Sequence, residues 1–105
     1  MGNFAENLAQ LADADNFSKL ELFDSAGNSV AVIENKPGSQ GSLRVYLHLA
    51  EKWSAINPDA AHEGLALYAE HTGDARRNPG KHPNIDRLFE IIASGAAYSI
   101  HLTPA

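Results

Sequence analysis

The period of the apolar positions changes several times along the chain, and each change marks an element. Phe4, Leu8, Leu11 and Ala12 recur at helical spacing and predict a short amphipathic helix over 3–12, ending at the DADN cluster. Lys19 to Phe23 and Ser29 to Ile33 are short β-prone runs. Between them Asp24, Gly27 and Asn28 supply turn chemistry, so the pair predicts a hairpin. ENKPGSQGS, 34–42, reads as a loop in which Pro37 fixes φ while Gly38 and Gly41 admit conformations closed to other residues.

The stretch from Ser42 to Ile56 carries two patterns at once. Leu43, Val45, Leu47 and Leu49 alternate like a strand, whereas Leu43, Tyr46, Leu47, Ala50 and Trp53 follow a helical period. The run is long, Ser42 is a good N-cap and AEKWSA at its end holds helix formers, so a helix is expected. The next helix is predicted over 58–72, with Asn57 as N-cap, Pro58 in the first turn, Asp59 favourable to the dipole and Gly73 as the stop. Its small residues, in AAHEGLALYAE, predict close approach by neighbouring elements. A last helix runs from Pro83 or Asn84 to Gly95, with Ile85, Leu88, Phe89 and Ile92 as its core stripe, and Ala97 to Leu102 forms a final strand stopped by Pro104.

The order α-β-β-α-α-α-β segregates helices from strands. It predicts an α+β fold: a small, mainly antiparallel three-stranded sheet, built from the hairpin and the C-terminal strand, with about four helices on one face. At 105 residues, 44% hydrophobic and 20% charged, the chain is expected to be a single domain, 1–105. The absence of Cys removes thiol catalysis and Cys-bearing zinc sites, and fits a reducing compartment. No apolar run reaches membrane-spanning length and no signal peptide opens the chain, so a cytoplasmic protein away from membranes is expected.

Charge adds one local feature. Four of the eight Lys and Arg residues, Arg76, Arg77, Lys81 and Arg87, fall within twelve positions. From Asp74 to Arg87 four cations face two carboxylates, so this segment carries +2 and the remainder −7 of the net −5. An acidic chain repels phosphate backbones, so no nucleic-acid partner is expected.

At ENKPGSQGSLRVY (34–46), EGLALYAEHT (63–72) and NPGKHPNIDRL (78–88) the chain resembles a small family of uncharacterised bacterial proteins of about this length. The resemblance covers nearly the whole chain. It implies a bacterial origin and a domain of unknown function, with no activity, cofactor or catalytic residue to carry over.

The candidate chemistry lies in two loops. In DARRNPGKHPN, 74–84, Arg76, Arg77, Gly80, Lys81 and His82 precede a helix start, where cations and free backbone N–H groups suit an anion. The spacing from Gly73 to Gly80-Lys81-His82 is not that of a phosphate loop, and His stands where Ser or Thr would hold magnesium. The opposing reading is a solvated loop whose cations pair with Asp74, Asp86 and Glu90. In the second loop Gly38, Ser39, Gly41 and Ser42 permit close backbone approach and offer donors, although turn formation alone explains such glycines, and GSQGS is not a nucleophile elbow.

His62 and His71, nine apart on the expected helix, face different sides, and His71, Asp74 and His82 converge only if the loop folds back, so no metal or other cofactor is expected. His101 is expected on the polar face of its strand, and Tyr46, Trp53, Tyr68 and Tyr98 in the core.

Strand order decides whether the two loops meet. With order 2-1-3 and antiparallel pairing throughout, strands 2 and 3 are parallel and both loops reach one sheet edge; with 1-2-3 they lie at opposite ends. The expected role is a binding module whose basic loop meets an anionic small molecule or an acidic protein surface. The alternatives are a small enzyme using His82 or His71 as acid/base beside Arg76 or Arg77, and a structural oligomerising protein.

Overall fold

The computed structural model describes residues 2–105. Among them are five helices and three strands: α1 Phe4–Ala9, β1 Phe17–Phe23, β2 Ser29–Glu34, α2 Gln40–Trp53, α3 Pro58–Tyr68, α4 Glu70–Arg77, α5 Pro83–Ser94 and β3 Ser99–Pro104. The fold is α+β in the expected order, with one helix more than four.

The sheet has the order β2-β1-β3 and is antiparallel at both joins. Strand β1 is central, so β2 and β3 run parallel to each other without touching. Leu20 pairs with Ile33 and Leu102, and Leu22 with Ala31 and Ile100, which gathers one apolar face under the helices. Glu21, opposite Val32 and His101, belongs to the other face, where Val30 and Val32 are exposed beside charged residues. His101 is exposed, as its alternation predicted.

Helix α2 is the hub. Leu43, Val45, Tyr46, Leu47, Leu49 and Ala50 are all buried, because α2 packs on β1 and β2 from one side and on α3 from another. Burial around most of its circumference is why its sequence satisfies two periods at once. The helix starts at Gln40, with Ser39 rather than Ser42 as N-cap, and ends at Ser54 in the left-handed region, short of the expected Ile56. Ser39 makes no cap bond; its hydroxyl donates to the Glu34 carbonyl at 2.6 Å.

Helix α3 begins as its cap residues dictate, with Asn57 Oδ1 accepting the Ala60 N–H at 2.9 Å and Pro58 in the first turn. Gly64 sits where a Cβ would stand 2.7 Å from Leu88 Cδ1 and 3.0 Å from Leu49 Cδ1. The missing side chain is what lets α2 and α5 close on α3.

The expected helix 58–72 is not continuous. It breaks at Ala69, where φ is 53° and ψ −117°, and the chain restarts as α4, which runs through Gly73 to Arg77. Gly73 is therefore not a stop, and 74–77 is helix where a loop was expected. Thr72, nearly fully buried, secures the break by donating to the Leu65 carbonyl at 2.6 Å. Helix α5 ends at Gly95 as expected, and β3 starts at Ser99, two residues later than expected, and includes Pro104.

Candidate functional site

The order β2-β1-β3 is the one that brings the two loops together. Gly38, Gly41 and Ser42, from the entry to α2, face Lys81, His82 and the first turn of α5 across a cleft of about 370 Å³. Phe4, Tyr68, His71 and Ile85 complete the lining. Gly38 has φ +94°, a conformation that side chains resist, and it turns the chain from β2 toward α2.

The break at Ala69 shapes one wall. It separates Tyr68 at the end of α3 from His71 in the first turn of α4 and points both into the cleft. Alanine in this backbone region is strained, and such strain persists only where surrounding contacts impose it. Those contacts come from α1: Phe4 stacks on Tyr68 with centroids 5.3 Å apart, meets His71 edge-on at 5.0 Å, and donates its N–H to Glu70 Oε1 at 2.8 Å. That bond holds the Glu70 carboxyl below its ordinary range. Asn7 adds a bond to the Leu67 carbonyl at 3.0 Å, and Arg44 of α2 anchors α1 by donating to the Leu8, Leu11 and Ala12 carbonyls.

Beneath the lining lies a satisfied polar layer. Tyr68 donates its hydroxyl to Ser42 Oγ at 2.7 Å, and Tyr46 donates to the Asn84 carbonyl at 2.5 Å. Arg87 bonds Tyr46 Oη at 3.1 Å and Asn84 Oδ1 at 2.9 Å while lying over the Tyr46 ring. Burial pushes the Tyr46 phenol up to about 12, against the opposing pull of Arg87, and pushes Tyr68 upward as well. Both tyrosines are core residues, as expected; Trp53 and Tyr98 are partly buried against that core.

The basic island is divided by this geometry. Lys81 Nζ lies 3.0 Å and His82 Nε2 2.6 Å from Asp74 Oδ2, and Asn78 donates to Asp74 Oδ1 at 2.9 Å. His82, then Lys81, hold the Asp74 carboxyl down at about 2. Asp86 accepts the Gly80 N–H at 2.9 Å instead of a cation. Arg76 and Arg77 are exposed at the C-terminal end of α4, with Arg76 over the Phe89 ring, and neither lines the cleft. Arg87 is turned inward. Of the nine expected site residues, Gly38, Gly41, Ser42, Lys81 and His82 share the cleft; Ser39 and Gly80 support its loops from outside, and Arg76 and Arg77 stand apart.

The loop does fold back: His82 bonds Asp74 at 2.6 Å, and its ring lies 5.8 Å from that of His71. His62 is on α3 and His71 on α4, not on one helix. Among the described residues no three His, Asp or Glu side chains gather around a possible metal ion. Asn84 belongs to the expected loop 74–84, whereas Phe4 was missed as a site residue, since nothing local in its sequence marks it and only tertiary packing brings α1 to the cleft.

No helix among the described residues is long and apolar enough to cross a membrane. No curated protein and no solved structure matches the chain. Residues 4–102 match a family described as uncharacterized protein conserved in bacteria (DUF2322), and the chain belongs to that family.

Proposed function

We propose that this protein binds a small anionic ligand in the cleft between the loop leaving β2 and the loop entering α5. One observation carries the reading: on a chain of net charge −5, the cleft is lined, among the described residues, by Lys81, His71, His82 and Ser42 and by no carboxylate. Phe4, Tyr68 and Ile85 offer the ligand an apolar wall, and the volume of about 370 Å³ is in the range of small-molecule sites. Asp74 stands behind Lys81 and His82 and orients them.

Titration with inorganic phosphate, followed by amide chemical shifts, tests the reading. The amides of Gly38, Gly41, Ser42, Lys81, His82 and Asn84 should move together, and less so as salt is added, because the Debye length is about 10 Å at ~0.1 M. Lys81→Ser combined with His71→Asn should abolish the response, whereas Arg76→Ser with Arg77→Ser should leave it intact. Shifts confined to the Arg76 and Arg77 segment would refute the cleft as the site.

A second reading is favoured by the bond between Asp74 and His82. A carboxylate holding one imidazole nitrogen while the ring lines a cleft is the arrangement of an oriented general base. Its support would be turnover of a bound anion that is lost in Asp74→Asn with binding retained.

A further inference from the structure

The two imidazoles narrow the class of anion. His82 Nε2 is 2.6 Å from Asp74 Oδ2, and an ionised carboxylate only accepts, so Nε2 carries a hydrogen and Nδ1 is the bare nitrogen of the neutral ring. His71 has no hydrogen-bond partner among the described residues and lies with its ring centroid 5.8 Å from that of His82, the planes tilted by 47°. Tyr68 donates to Ser42 Oγ, which leaves the Ser42 hydrogen free to donate toward the cleft.

The charges around the pair leave no net positive charge. From the loop comes Lys81, already matched by Asp74 of α4 at 3.0 Å. Glu70, also of α4, is turned to the Phe4 N–H, and Glu6 of α1 to the Asn3 N–H. α2 and α3 contribute only the Ser42 and Tyr68 hydroxyls to the cleft, and α5 contributes Asn84, whose Oδ1 accepts from the Arg87 guanidinium at 2.9 Å, while Asp86 is turned to the Gly80 N–H. With both imidazoles neutral, a doubly charged ligand would meet no net positive charge. Two imidazolium rings this close repel each other, and an anion between them reverses that repulsion.

We propose that His71 and His82 together receive a divalent tetrahedral oxyanion, the headgroup of a phosphate monoester or of sulfate, and that its binding takes up a proton at the imidazole pair. The proposal rests on the cleft reading and specifies the ligand's charge and its coupling to pH. The remaining cleft volume, against Phe4, Tyr68 and Ile85, accommodates a small body attached to the headgroup.

Sulfate is the probe of choice, because it stays dianionic from pH 5.5 to 8, roughly the window of imidazole titration, and any pH dependence then belongs to the protein. Affinity is measured by calorimetry on the full chain at constant ionic strength, in buffers of different ionisation heat. Uptake of one proton predicts an affinity that falls by up to about tenfold per pH unit once the imidazoles are neutral. Reciprocally, sulfate should raise the titration midpoints of the His71 and His82 ring protons in NMR spectra. His82→Gln keeps an amide donor for Asp74 and His71→Asn leaves the loop untouched; each should flatten the pH dependence. Cleft amides that shift with pH-independent affinity would overturn this proposal and leave the cleft reading standing. So would acetate binding as tightly as sulfate, or an unchanged pH slope in either variant. Cleft amides that ignore sulfate at every pH would overturn both.

Discussion

Ala69 carries a conformation that its side chain disfavours, and the cost is removable. In Ala69→Gly the positive φ is unstrained, so the variant should be more stable by about 1 kcal/mol, read as a shift in the denaturation midpoint. A loss of stability would show that the break carries no strain. Asp74 makes a second residue-scale prediction. Its carboxyl is held at about 2 by His82 and Lys81, below the ordinary 3.8, so its pairing stabilises the fold above pH ~4 and that contribution fades as pH falls toward 2. The stability difference between the natural protein and Asp74→Asn should therefore be largest near neutrality and vanish in acid. Local chemistry made some residues readable in advance, such as Asn57 as a cap and Gly95 as a stop, because a side-chain oxygen or a missing Cβ acts where it stands. Ala69 was not readable. Alanine is a good helix former, and what overrides it here is Phe4 of α1, acting from outside the segment, together with the Thr72 hydroxyl on the Leu65 carbonyl within it.

Among the helices, α3 meets α5 and α2 in close contact at Gly64. A methyl at position 64 would overlap Leu88 Cδ1 at 2.7 Å, and both Leu88 and Leu49 are fully buried. Gly64→Ala should therefore lose about 1–3 kcal/mol to overpacking, outweighing the ~1 kcal/mol helix gain of alanine. Thermal denaturation measures it, and adding Leu88→Ala should cost less in the Gly64→Ala background than alone, since the second change makes room for the first. Helix α2 shows why an amphipathic reading can fail at the right answer. Its alternating leucines and its helical stripe were both real because sheet and helices bury it together, and only its length and helix formers decided. Helix α4 escaped notice for the opposite reason: EHTGDARR has almost no apolar stripe, and it is held by neighbours instead of by its own pattern.

For the whole molecule, strand order was the decisive unknown. No local signal distinguishes β2-β1-β3 from its alternative, since the choice is made by pairing β1 with a strand from the far end of the chain; yet that choice alone decides whether the two loops share a cleft. The buried phenols should make the entire fold sensitive to alkali. Burial raises Tyr46 from 10.0 to about 12, so the neutral form stabilises the fold below pH 10 and that contribution is lost as pH climbs through about 12. In Tyr98→Phe, where only the two buried phenols remain, phenolate absorbance should rise in step with loss of circular dichroism instead of ahead of it. The pairing of β1 also reaches into synthesis on the ribosome. Phe17 pairs with Pro104, and the Asn16 carbonyl accepts the Ala105 N–H at 2.9 Å. Strand β1 therefore emerges early, gains β2 at once through a short turn, and must keep its other edge unpaired until residues 99–104 are translated. Contacts of such long sequence separation fold slowly, and the nascent chain carries a half-built sheet while residues 35–98 are added. Its vulnerable moment is the wait for its last strand, when a neighbouring nascent chain offers the same edge and a chaperone has the most to protect.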